Sequence, residues 1–309
     1  MTVKSQIPVA LAKCADYDAP SLDATVRRVL ETIDCHPSRG ARVLVKPNLL
    51  APTPPDFLPC THPLVVRAVC RYLLDLGAKV QVGDSPTFGK GVEIACKIGL
   101  DEALADLPVT LVNLDQPRVI RLSFGGRMAL SRRALDSDMI VNVPKLKSHH
   151  QVRVTGAVKN VYGCVTGLRK PVLHLLYGDR DSRFESMILE IWRNLPPTAS
   201  IMDAVTAMHG QGPTNGQPYN LGMVAASQSP VALDSAVMHI LGVKPEDAPL
   251  WRMSFKMDLP GARLEELVYP LEPPESFNGG DFKTPDHLFP MSFRPLKVAV
   301  HMAKRFLAK

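Results

Sequence analysis

The sequence predicts an α/β protein: a Rossmann-like lobe with a parallel or mixed sheet, a second mixed α/β lobe and a C-terminal amphipathic helix. Three observations carry that prediction. Short β-branched runs alternate with amphipathic stretches through the first half, as strands alternate with helices in a parallel sheet. Polar turns follow the runs, as at Lys46-Pro47-Asn48 and Gly83-Asp84-Ser85-Pro86, and open α/β sheets bind ligands beyond the carboxyl ends of their strands. The 309 residues are 46% hydrophobic and 21% charged, a globular composition with enough chain for a sizeable core.

The elements follow in order. Ile7 to Lys13 reads as a strand and Ser21 to Ile33 as a helix capped by Ser21, because a serine hydroxyl satisfies an unpaired N–H of the first turn. Arg42 to Lys46 is a strand, Thr61 to Leu76 a helix opened by Thr61 and Pro63 and stopped by Gly77, and Lys79 to Gly83 a strand. Met139 to Val143 reads as a buried strand, Phe184 to Asn194 as a helix, and Ala199 to Val205 and Leu221 to Ala226 as strands. Ser229 and Pro230 then open a helix to Leu241. The expected organisation is one α/β domain over residues 1–245, in two lobes of about 1–125 and 126–245. An irregular extension, 246–309, follows it.

The formal charge of +6 is unevenly placed. Arg118 to Lys170 holds eleven Lys/Arg against Asp136 and Asp138, and His287 to Lys309 holds five with no carboxylate. At 100° per residue, Arg294, Lys297, His301, Lys304, Arg305 and Lys309 share one face of the tail, with Leu296, Ala299, Val300, Met302, Phe306 and Leu307 on the other. That basic amphipathic helix either docks on its own domain or makes a peripheral membrane or protein contact through residues 290–309. Only 6% of residues are aromatic and no base-stacking motif is present, so no nucleic acid is expected as a partner. No apolar run approaches the roughly 18 residues of a membrane span, and the N-terminus lacks the ordered regions of a secretory signal. The expected location is the cytoplasm or the inner membrane face.

The densest polar run is Asn142 to His150, followed by Thr155 to Asn160. Lys145 and Lys147 can hold a small anionic ligand, and His149 can move a proton. Lys159, flanked by Val158 and Val161, becomes a base, nucleophile or attachment point if desolvation lowers its pKa. His174 is a candidate base or metal ligand. Lys46, Asn48, Asp84, Ser85 and Asn160 sit near the same strand ends, and Asp203 can orient a histidine or hold a cation. Gly210 and Gly212 lie in a Gly- and Pro-rich loop whose amides and carbonyls are available to a ligand. The six cysteines contain no C-x-x-C pair, so no iron-sulfur cluster is expected on this chain.

These segments recur in order in one family. With Lys46-Pro47-Asn48, Gly83-Asp84-Ser85-Pro86, Val143 to His149, Gly156-Ala157-Val158-Lys159-Asn160 with Gly163, Asp203 with Gly210-Gln211-Gly212-Pro213, and Pro230 to Asp234, the chain resembles the bacterial and archaeal family called domain of unknown function 362. Many relatives carry a ferredoxin-like module, which implies a redox setting and, for a chain without clustered cysteines, a separate iron-sulfur partner. The spacing of His149, Lys159 and His174 is also distantly similar to nickel-pincer lactate racemases. That resemblance implies a lysine-tethered cofactor on Lys159, acid/base work for His149 and metal ligation by His174. The second acid/base histidine of those enzymes has no counterpart here, because the corresponding turn reads Gly83-Asp84-Ser85-Pro86. The expected function is an enzyme acting on a small anionic metabolite or cofactor through a Lys/His cluster, by metal-assisted proton transfer or redox chemistry. The alternative is a non-catalytic cofactor-binding accessory protein for an iron-sulfur or membrane-associated redox system.

Overall fold

The computed structural model describes residues 6–50, 58–167 and 169–291. The basic helix expected from Arg294 to Lys309 lies outside the described residues.

Nine strands form one mixed sheet: β1 (Ala10–Lys13), β2 (Arg42–Pro47), β3 (Lys79–Asp84), β4 (Thr110–Asn113), then, beyond a separate hairpin of β5 (Pro117–Arg121) and β6 (Arg127–Ser131), β7 (Met139–Val143), β8 (Lys145–His149), β9 (Arg153–Thr155), β10 (Thr198–His209) and β11 (Gln217–Ser227). β2 runs parallel to both β3 and β7, and β4 extends the parallel row beyond β3. β10 pairs in parallel with β7 at its start and with β8 farther on, and β11 and β1 close the sheet in antiparallel fashion. Strands from both sides of residue 125 therefore lie edge to edge in one sheet, joined where Val43 to Pro47 meets Met139 to Val143.

Alternation explains why these runs are strands. Val43 and Val45 of β2 enter the core shared with α1 (Ala19–Thr32) and α2 (Pro63–Asp75), while Leu44 enters the opposite core with Phe184, Ile188 and Ile191. Each helix has the apolar stripe that such burial requires. Two starts differ from expectation in their caps: Asp18 caps α1, and the ring of His62 caps α2 by accepting from Leu64 N at 3.2 Å. The first strand is split at Val9, with Ile7 and Pro8 pairing with Leu267 and Val268, since Pro8 has no N–H for the main ladder. The rest of the described extension is part of the core: a helix over Pro249–Lys256 contributes Leu250 and Trp251.

The polar run after β7 is itself a strand. Pro144 interrupts the ladder, and its carbonyl accepts Asp203 N at 2.9 Å. Beyond it, period-two alternation places Lys145, Lys147 and His149 on one face of β8, with Leu146 and Ser148 on the other. All five are buried. Lys145 is held there by Asp203, Nζ to Oδ2 2.9 Å, and donates to Tyr17 Oη at 2.9 Å. Tyr17 in turn donates to Asp203 Oδ1 at 2.9 Å and stacks on His62 at 3.7 Å.

Removing one member of this pair strands the other charge in the core, so Asp203→Ala should destabilise by about 3–5 kcal/mol in urea unfolding, whereas an apolar double replacement, Lys145→Met with Asp203→Leu, recovers most of that loss. A loss under about 1 kcal/mol for the single variant would show the pair to be water-screened.

Candidate functional site

Three short elements complete the site around β2, β3 and β8: α3 (Ala157–Asn160), α4 (Arg169–Tyr177) and α5 (Arg183–Asn194). The single turn of α3 is fixed from below by Asp234 on α6 (Pro230–Ile240), whose carboxylate accepts Ala157 N at 2.6 Å and Val158 N at 2.9 Å. Burial pushes the Asp234 carboxyl up to about 7, against the pull of those two amides. Gly156 admits this contact, since a Cβ there would lie 2.1 Å from Asp234 Oδ1.

Lys46 and Asp84 form a second buried ion pair, Nζ to Oδ1 2.8 Å. Asp84 also accepts Leu49 N at 2.8 Å and Ser85 N at 2.9 Å, which fixes the two strand-end turns to each other. Gly163 packs directly on the pair: a Cβ there would come within 2.0 Å of Asp84 Oδ1 and 2.4 Å of Lys46 Nζ. An amide ladder crosses the same edge. Asn48 donates to Asn160 Oδ1 at 2.9 Å, Asn160 to Asn142 Oδ1 at 2.8 Å, and Asn142 to Ser200 Oγ at 3.1 Å.

Three lysines beside this frame have no carboxylate partner among the described residues. Lys147 donates to Asn48 Oδ1 at 2.9 Å and to Pro59 O at 2.7 Å, and burial lowers it to about 8. Lys170 donates to Ser85 O and is likewise lowered to about 8 by burial, although Asp84 pulls the other way. Lys159 keeps partial solvent contact, yet its ammonium lies 4.4 Å from the Tyr162 ring centre and 5.9 Å from that of Phe184. Burial, then the charges of Lys170 and Lys147, lower it to about 7. Lys170 shares the Tyr162 ring at 5.5 Å.

Two imidazoles flank the lysines, both held neutral. His149 accepts Gln151 N on Nδ1 at 3.0 Å, which leaves its proton on Nε2; burial and then Lys159 hold it well below the usual histidine range. His174 has Nδ1 2.7 Å from Met291 O, which places the proton on Nδ1 and the lone pair on Nε2; burial and then Lys159 lower it to about 4. The two rings therefore present opposite faces, a donor and an acceptor.

Of the residues read from sequence, Lys46, Asn48, Asp84, Ser85, Lys147, His149, Lys159, Asn160 and His174 belong to one connected cluster. Lys145 and Asp203 neutralise each other beside it. Gly210 and Gly212 serve packing: Ser148 Oγ donates to Gly210 O at 2.9 Å and accepts Gly212 N at 3.1 Å, which clamps the β10–β11 turn on β8. Lys170, Tyr162 and Asp234 emerge only in three dimensions; in the sequence Lys170 is one more charge of the basic block. Among the described residues no three His, Cys, Asp or Glu side chains group as a metal ion requires.

The chain is 34% identical over 302 residues to a thylakoid-associated protein of Synechocystis sp., covering 96% of this chain and 94% of that one. Among solved structures, the lactate racemase apoprotein of Thermoanaerobacterium thermosaccharolyticum aligns with TM-score 0.48 and 12% identity, over 78% of this chain and 58% of that one. A Thermotoga maritima protein aligns with TM-score 0.46 and 13% identity, over 71% and 57%. The chain spans less than two thirds of either solved structure. Residues 43–239 match the family described as domain of unknown function (DUF362), and with that match across most of the sheet and its site, the chain belongs to this family.

Proposed function

We propose that the protein is an enzyme acting on a small organic anion, bound through a carboxylate or phosphate group between Lys147, Lys159 and Lys170. One observation carries this reading: three clustered ammonium groups without a carboxylate partner among the described residues, next to two neutral imidazoles. A ligand anion supplies the missing countercharge and raises the lysine pKa values, so binding takes up protons. Lys147 and Lys170 hold the anion, and the uncharged form of Lys159 is the group able to take a proton from the ligand or attach to it. His149 offers Nε2–H to a developing negative charge, and His174, neutral with its proton on Nδ1, lies beside it. Asp84 and Asn160 hold the frame.

A second reading, a non-catalytic accessory protein that holds an anionic cofactor for a membrane-associated iron-sulfur redox partner, draws support from the relative's description as thylakoid-associated. Among the described residues no helix is long and apolar enough to cross a membrane, so on this reading contact with a membrane is peripheral. Native mass spectrometry of protein from its natural host separates the readings, since the accessory role requires the cofactor to stay bound through purification.

Calorimetric titration with phosphate and with small carboxylates should show affinity falling between pH 6 and pH 9, as Lys159 loses its proton near 7 and Lys147 and Lys170 near 8. Lys159→Met should weaken binding by about tenfold or more at pH 7, the scale of one charge-assisted contact; an unchanged affinity would overturn the assignment.

The same lysine costs stability. Its folded pKa lies below its unfolded value, so the penalty is full below about 7 and fades as pH rises toward the unfolded value. Lys159→Met should therefore raise the melting temperature of the ligand-free protein more at pH 6 than at pH 9, and an equal rise at both would count against a depressed lysine.

A further inference from the structure

Helix α4 has an inverted pattern. Lys170, Leu173 and His174 face inward, while Val172, Leu175 and Leu176, spaced at i, i+3 and i+4, face solvent. Only six large apolar side chains are exposed among the described residues, from 46% to 63%, and the other three are Phe88, Val119 and Phe289. Each of these sits on a segment tied to α4. The Phe88 loop begins at Ser85, whose Oγ accepts Gly167 N at 2.9 Å and whose carbonyl accepts Lys170. The hairpin carrying Val119 is joined through Tyr177, whose Oη accepts Arg127 N at 3.0 Å. Phe289 lies two residues before Met291, which is bonded to His174 through its carbonyl at 2.7 Å and to Asp179 through its amide at 2.6 Å. The exposed apolar surface is thus gathered around one rim, and the inner face of α4 lines the lysine cluster.

The rim carries Asp179, Asp181 and Asp286 as exposed carboxylates, and its exposed cations outnumber them. Arg121, Arg127, Arg169 and Arg180 are exposed on the same segments and make no ion pair with a described residue. The chain leaves this rim at Met291 and adds five Lys/Arg and no carboxylate over 292–309. A second copy of the chain stacked here by a two-fold axis would set these guanidinium groups against one another, and the chain's own basic end cannot neutralise them. An occupant must offer apolar depth and negative charge together, which an anionic bilayer interface does: side chains enter the acyl boundary while arginines meet phosphate headgroups.

We propose that the α4 rim is a docking face for an anionic lipid bilayer. The proposal is independent of the anion proposed between the lysines, because vesicle binding needs no such ligand.

The test uses the full chain and vesicles of phosphatidylglycerol with phosphatidylcholine, against pure phosphatidylcholine, in co-sedimentation at low and high salt. Wild type should partition onto the anionic vesicles and be released by salt. Leu175→Glu with Leu176→Glu should weaken partitioning by about tenfold or more, each carboxylate opposing both insertion and surface potential. Because both side chains are exposed, the variant should melt like wild type. In a second measurement, Leu176→Trp should show a blue-shifted emission on adding anionic vesicles. Four results would overturn the proposal: no binding by wild type, equal binding by the folded double variant, binding that depends on residues 292–309 alone, or a rim-dependent dimer or acidic-protein complex in place of vesicle binding.

Discussion

Five lysine ammonium groups converge behind one edge of the sheet with two carboxylates to meet them, and the architecture around them follows from that imbalance. Lys46–Asp84 and Lys145–Asp203 are closed pairs, 2.8 and 2.9 Å long, each saturated by further hydrogen bonds. Geometry of that quality is what allows ions to be buried at all, since each one costs several kcal/mol to desolvate. The pairs also carry structure. Asp84 binds the turn after β2 to the turn after β3, and Asp203 ties β10 to the β7–β8 break and to the start of α2. What is left over, Lys147, Lys159 and Lys170, is a local excess of positive charge that the fold contains without neutralising.

An excess of this kind is resolved in one of two ways, by losing protons or by gaining an anion. The molecule is poised between them. Burial lowers Lys147 and Lys170 to about 8 while Asp84 pulls both the other way, and burial, then the charges of Lys170 and Lys147, lower Lys159 to about 7. Burial, and then the charge of Lys159, keeps His149 and His174 uncharged, so the site holds bases and hydrogen-bond donors side by side at one pH. Pairs of titratable groups pushed to different states by one environment are the usual arrangement where protons are moved, although structural ion networks also perturb pKa values.

The fold was legible in the sequence wherever period mattered. β2 and β7 carry apolar residues on both faces, β3 alternates Val80 and Val82 with Lys79 and Gln81, and Ser229 and Pro230 fix the start of α6 as their cap chemistry requires. The site was legible in its residues and less so in their roles. Lys145 and Lys147 look equivalent in the run, but one is neutralised from 58 residues away and the other is not, a distinction that only tertiary contact creates. The run carries no strand signal of its own, because strands with lysine, lysine and histidine on one face are rare; its strand form rests on burial of that face against Asp203, Asn48 and Pro59. Gly210 and Gly212 resemble a ligand loop for the opposite reason: glycine does not record what it serves, and here Gly212 admits the close approach of Ser148 while Gly210 takes a φ of +79°. Lys170 and Asp234 lie 85 and 77 residues from the atoms they hold, beyond any local pattern.

Helix α4 joins the two surfaces of this molecule. Its inner residues Lys170 and His174 touch Ser85, Tyr162 and Met291, and its outer residues make up half of the exposed large apolar side chains among the described residues. The helix is tied through Lys170 to Ser85 O, His174 to Met291 O and Tyr177 to Arg127 N, so any displacement of it would bear on all three contacts. The inner contacts are sensitive to such movement. The hydrogen bond that sets the His174 tautomer is 2.7 Å long, and the energy of such a bond falls steeply with distance and angle. Lys170 contributes to the field that lowers Lys159, so a shift of α4 changes the protonation of Lys159 without any change at Lys159 itself. The charge imbalance and the apolar rim are therefore two faces of one element.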